Sequence, residues 1–134
     1  MTNICSESIT TAKTGQIAAL GAVSGFNAPR AISLQARFTY VASAATGVDA
    51  YVQTTIDGSN WFDIAEFNFT TASAQKFQNC VGETAVNSAT TLTDGTLTAN
   101  TSINGFLGVQ YRVKYTSVGT YGAGTSLVVD VQAR

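Results

Sequence analysis

The stretch Val48 to Thr70, VDAYVQTTIDGSNWFDIAEFNFT, decides the fold class. Ala50, Val52, Thr54 and Ile56 alternate with Tyr51, Gln53 and Thr55. Asp57-Gly58-Ser59-Asn60 then supplies turn chemistry, and Trp61 to Phe69 resumes with aromatic and β-branched residues. This is two strands joined by a tight turn. The simplest register sets Ile56 against Trp61, Thr54 against Asp63, Val52 against Ala65 and Ala50 against Phe67, which makes one face mainly apolar. The opposite face mixes Tyr51, Phe62 and Ile64 with Gln53, Thr55 and Glu66, so one bulge exchanges inner and outer sides. Both faces therefore have reason to be covered, one by the core and one by another subunit.

Working outward, period-2 runs recur with turn residues between them, and no long segment holds a helical period. Eight strands are expected, at about Gln16 to Ser24, Ala31 to Val41, Val48 to Ile56, Trp61 to Thr70, Gln75 to Val81, Thr90 to Thr98, Gly105 to Thr116 and Gly124 to Gln132. Gly25-Phe26-Asn27-Ala28-Pro29, Thr46-Gly47, Asp57-Gly58, Asp94-Gly95, Asn104-Gly105 and Gly119 to Gly124 separate them with residues that tolerate φ > 0 or form side-chain turns. Three apolar stripes define the expected core: Ile32, Leu34, Ala36, Phe38 and Tyr40; Leu107, Val109, Tyr111, Val113 and Tyr115; and Leu127, Val129 and Val131. The reading is an all-β fold, a two-sheet antiparallel β-sandwich of about eight strands. Its longer connections, around Thr70 to Gln75 and Gly82 to Ala89, suit a jelly roll better than a seven-stranded immunoglobulin-like sandwich. One domain is expected over residues 16–134, preceded by an N-terminal arm over residues 1–15.

Charge and composition narrow the partners. Only 11% of the 134 residues are charged and the net charge is −1, against roughly 25% charged in ordinary globular domains. A surface of hydroxyls and amides has little electrostatic repulsion to keep copies apart, which favours life in an assembly. The seven basic residues Lys13, Arg30, Arg37, Lys76, Arg112, Lys114 and Arg134 lie scattered, so no stripe exists to neutralise phosphates, and no nucleic acid partner is expected. Met1 to Cys5 carries no basic n-region, and Ile17 to Val23 is too short for a signal core or a membrane span. A cytoplasmic origin and no membrane partner are expected.

The chain contains no histidine, which removes Ser-His-Asp and Cys-His nucleophile arrangements and His-ligated zinc. Cys5 and Cys80 are the only cysteines and are expected as inert free thiols. Among the carboxylates, Asp63 and Glu66 point to opposite faces of one strand in simple alternation, while Asp57 and Asp94 sit in turns that an Asx-type bond explains. No catalytic pair, metal site or cofactor site is expected, and the reading is non-enzymatic. The glycines from Gly119 to Gly124 lie between two strands and read as a hairpin loop rather than a phosphate cradle. Phe26, Trp61 and Tyr121 are aromatics on or beside loops. They are the candidate contact residues, either as anchors in an assembly or as stacking platforms for a sugar, unless they fold down as loop plugs.

Tyr51-Val52-Gln53-Thr54, Asp57-Gly58, Trp61-Phe62-Asp63-Ile64-Ala65 and Phe67-x-Phe69-Thr70, followed by Leu107 to Tyr115 and a glycine-rich loop before Leu127, resemble small virion structural proteins of tailed bacteriophages. The nearest role is the capsid decoration or cement protein. The resemblance implies a β-sandwich on the virion capsid surface, assembled in the host cytoplasm, whose partners are the major capsid protein and its own copies as a homo-dimer or trimer. It implies no catalytic residue and no cofactor, and an arm, Met1 to Gly15, lying over a neighbour. A tail or neck (head-to-tail) virion protein and a carbohydrate-binding or adhesion module are the alternatives. The second of these requires Trp61 and Tyr121 exposed and roughly coplanar.

Overall fold

The computed structural model describes residues 1–42 and 45–134. Among them lie eight strands: β1 (Thr2–Ser8), β2 (Lys13–Ile17), β3 (Ala31–Thr39), β4 (Gly47–Thr55), β5 (Phe62–Phe69), β6 (Ala74–Val81), β7 (Gln110–Val118) and β8 (Ser126–Ala133). They form two four-stranded sheets, ordered β1-β8-β3-β6 and β2-β7-β4-β5, with every pairing antiparallel. The pairs β1·β8, β2·β7, β3·β6 and β4·β5 are the rungs of one long ribbon doubled at the β4–β5 turn. Rolling that ribbon sets β3 beside β8 and β4 beside β7. The all-β two-sheet sandwich expected from the sequence is therefore the architecture found.

The core lies between the sheets and is built from the alternating stripes. Ile32, Leu34, Ala36 and Phe38 of β3, Tyr111, Val113 and Tyr115 of β7, and Leu127, Val129 and Val131 of β8 are all buried. Phe38 stacks on Phe69 across the sandwich at 5.1 Å between ring centroids, and Phe26 meets Tyr111 edge-on at 4.8 Å. The exposed surface totals 6595 Å², close to the roughly 6,700 Å² that size scaling gives for a single packed domain.

The β4–β5 hairpin keeps the expected register at Ala50–Phe67 and Val52–Ala65, then shifts so that Gln53 faces Asp63 and Thr54 faces Phe62. Ile64 is the extra residue of a β-bulge. The turn is held by the Asp57 carboxylate, which accepts from the Ser59 and Asn60 amides, both at 2.8 Å, while Gly58 takes φ 79°, the left-handed region open to glycine. Gly108 has a different reason to lack a side chain: a Cβ there would stand 2.1 Å from the Thr55 carbonyl oxygen.

Three expectations are corrected. Residues 1–15 do not form a free arm: Thr2–Ser8 is edge strand β1, paired with β8, and Lys13–Ile17 is edge strand β2, paired with β7. The expected strand from Gln16 to Ser24 ends at Ile17, because Gly21 turns the chain with φ 60° and Val23 makes only an isolated bridge to Tyr111. Thr90 to Thr98 is no strand. It belongs to the segment of residues 82–109 between β6 and β7, which covers β5 instead of extending a sheet.

Candidate interaction surface

The two sheets present different outer faces. On the β2-β7-β4-β5 sheet, the 82–109 segment folds back over β5 and closes its free edge. Asp63 N donates to Thr93 O at 2.8 Å, Glu66 N to Thr101 O at 2.9 Å, and Ile103 N to Ile64 O at 2.9 Å. An edge whose backbone groups are already bonded offers no template for another strand.

Two buried carboxylates anchor that cover. Asp63, fully buried, accepts from Gln53 Nε2 at 2.9 Å, Thr93 Oγ1 at 2.8 Å, and the amides of Gly95 at 2.7 Å, Thr96 at 3.0 Å and Leu97 at 3.2 Å. A turn of successive amides thus wraps one carboxylate. Glu66, 1% exposed, accepts from the Asn100 amide through Oε2, while its Oε1 has no partner. Burial first, and then the neighbouring Asp49 carboxylate, push the Glu66 carboxyl up to about 8. Asn100 adopts φ 56°, and its side chain accepts from Asn68 N at 3.1 Å and Lys76 Nζ at 3.0 Å. Asparagine is among the few residues that take this conformation readily. Asp94 completes the network: it pairs with Lys114 Nζ at 2.9 Å and accepts from Gln53 Nε2 at 2.6 Å, and these two hydrogen bonds hold its carboxyl below the usual range.

The three aromatics singled out from the sequence are not brought together. Phe26, 7% exposed, packs on Tyr111. Tyr121, 2% exposed, meets Phe38 and Tyr40 edge-on and donates from its hydroxyl to Thr70 O at 3.0 Å. Both are loop plugs. Trp61 is half-buried, and the Arg112 guanidinium lies over its ring, 4.2 Å from the centroid, with Nε donating to Gln53 Oε1 at 2.9 Å. The exposed, coplanar Trp61–Tyr121 platform that a sugar-binding module requires is absent.

Cys5 and Cys80 are both free and buried, and burial pushes their thiols up to about 12 and about 11, which suppresses the nucleophilic thiolate. Asp57 spends its oxygens on its own turn, which holds its carboxyl well below the usual range.

The outer face of the β1-β8-β3-β6 sheet is bare. Its cross-strand rows run Val81–Ala31; Asn79–Ser33–Gln132; Phe77–Gln35–Asp130–Asn3; and Gln75–Arg37–Val128–Ser6. The face carries one acid and one base, and they neutralise each other: Arg37 Nη2 and Asp130 Oδ2 stand 2.9 Å apart, with Asp130 also accepting from Asn3 Nδ2 at 2.9 Å. From this uncharged ground rises Phe77, 76% exposed, with Met1, 81% exposed, and Val81, 40% exposed. Sequence reasoning missed Phe77, although an aromatic among Gln75, Gln35 and Asn79 marks an outward position once the β3–β6 register is known. Searches with the chain matched no protein-family model, no curated protein and no solved structure.

Proposed function

We propose that this chain is a non-enzymatic structural protein of a tailed-phage virion, a capsid decoration protein that docks as a small homo-oligomer on the lattice of the major capsid protein and stabilises the head. The observation that carries the reading is the bare outer face of the β1-β8-β3-β6 sheet, whose one acidic and one basic side chain pair with each other and from which Phe77 stands out. A four-stranded face with its charged side chains paired and with an exposed aromatic is suited to burial against protein. The sequence resemblance supplies the phage context, and the rolled ribbon of strands is, on this reading, a jelly roll. The non-enzymatic part is supported by the use the fold makes of its acids: Asp57, Asp63 and Asp94 are each consumed in holding a turn or a loop.

The copy number of the chain in purified particles, measured against the major capsid protein by quantitative mass spectrometry, tests this reading. A ratio near one, or a fixed fraction of that order, is expected. A handful of copies moves the protein to the neck or tail, and absence from particles overturns the reading. Capsids lacking the chain are expected to fail at lower temperature and lower ionic strength than those carrying it.

A further inference from the structure

We infer that the bare face of the β1-β8-β3-β6 sheet is a two-fold self-association surface, closed by a second copy of this chain through reciprocal insertion of Phe77. This rests on the reading of the chain as a homo-oligomeric assembly protein and assigns the face to the contact between copies, which leaves the lattice to be met by another part of the surface.

Three features of the face converge on a copy of itself. The first is shape. Phe77 and Met1 wall a shallow groove of about 230 Å³ whose other borders are Gln35, Asp130 and Gln132. A protruding ring that also walls a groove suits an isologous contact, in which each copy's ring enters the other's groove and packs against its counterpart. The second is charge. A two-fold axis brings every charge near its own kind, so a patch with net charge repels its copy. The strand side chains of this face bring none, because Arg37 and Asp130 close on each other within one chain, and the whole chain carries a net charge of only −1. The third is area. Four strands of eight residues, at about 4.8 Å between strands and about 3.3 Å per residue, give a footprint of roughly 500 Å² per copy. Two copies then bury about 1,000 Å² even before side-chain relief is counted, the lower bound for a specific interface. An interface at this lower end is a weak, reversible one, and its occupancy rises when copies are concentrated on a shell.

The opposite sheet does not qualify. Its outer face is occupied by residues 93–101 of the same chain, and its β5 edge is already bonded.

Sedimentation equilibrium of the purified full chain across a micromolar to millimolar range, with no capsid present, is the test. The wild type is expected as a reversible dimer. Phe77→Glu and Phe77→Lys are each expected to raise the dissociation constant by about 30-fold or more, the scale of a hot-spot residue. Both signs of charge are used so that simple electrostatics cannot explain the result. Because Phe77 is 76% exposed, both variants are expected to keep the wild-type circular dichroism and melting temperature. A wild type that stays monomeric throughout overturns the inference, as does a dimer that survives both substitutions. Co-sedimentation of the same variants with empty heads separates this from the capsid reading. A monomeric wild type whose head binding is lost in Phe77→Glu assigns the face to the capsid and overturns self-association. A dimeric wild type that never binds heads retains the dimer and overturns decoration.

Discussion

Replacing Asp63 by alanine removes the single group on which the 93–97 turn is wound. Five donors converge on that carboxylate: Gln53 Nε2, Thr93 Oγ1 and the amides of Gly95, Thr96 and Leu97. A hydrogen bond to a charged group contributes about 1.5–3 kcal/mol, so five taken singly would sum to more than about 7 kcal/mol. They do not add, because the turn can peel away and return its amides to water, and Gln53 keeps Asp94. What is lost is the anchoring of the turn, with the desolvation cost of any donor left behind. The net is about 3–5 kcal/mol, a large share of the roughly 5–15 kcal/mol that holds a domain of this size. Asp63→Asn keeps the volume but turns an amide NH₂ toward donors, and should cost about 2–3 kcal/mol. With a urea slope of about 1–3 kcal/mol per molar, Asp63→Ala should move the unfolding midpoint down by roughly 1–5 M. Hydrogen exchange supplies the local readout: the Gly95, Thr96 and Leu97 amides should become fast while those of β7 and β8 stay protected. A midpoint shift below about 0.5 M, with slow exchange retained at those amides, would refute the idea that the carboxylate organises the turn.

Glu66, whose carboxyl is raised to about 8 by burial and by Asp49, makes stability depend on pH. A carboxyl raised in the folded state binds its proton more tightly there than in the unfolded chain, so its contribution is complete below about pH 4.5 and is lost as pH rises toward 8. Urea midpoints should fall across that window in the wild type and stay flatter in Glu66→Gln. Gly108→Ala should destabilise by about 3 kcal/mol or more, because its Cβ would meet the Thr55 carbonyl oxygen at 2.1 Å; thermal unfolding reads this directly, and an unchanged melting temperature argues against that close approach. Cys5 and Cys80, buried and with thiols raised to about 12 and about 11, should react with a thiol reagent only in denaturant, where both sites become available. Reaction in native buffer at the rate of a free thiol would contradict their burial.

The legible part of the fold was the part that obeys a period of two. Strands β3, β7 and β8 bury every second residue over most of their length, and hydropathy reports that pattern whatever the partner strand. In β5 the same signal was ambiguous, because Asp63 through Phe67 are buried without interruption. The bulge at Ile64 and the overlying 82–109 segment remove the solvent face that makes alternation visible. Strand β1 was missed for a related reason: its register slips between Asn3 and Cys5, so Ile4 and Cys5 are both buried and the period breaks in the middle of a short strand. The 82–109 segment was misread as part strand because its Thr and Leu residues suit a β conformation. What decides its path is the pull of Asp63 and Glu66 on its amides, a tertiary cause that local composition cannot carry.

The candidate surface was illegible for a deeper reason. Phe26, Trp61 and Tyr121 drew attention by sitting at loops, yet loop aromatics in a small sandwich have a nearby use in plugging the open ends of the core, where Phe26 and Tyr121 are found. The aromatic left most exposed among the described residues is Phe77, which sits mid-strand where sequence alone favours burial. Its direction follows from pairing: Gln35 lies opposite Phe77, between the inward Leu34 and Ala36, so Phe77 must face outward with it. An aromatic sent outward by register stays there in the isolated chain because the core behind it is already filled. Burial of that ring against a second copy is what the two-fold proposal adds, so substitution of Phe77 tests assembly while leaving the fold in place.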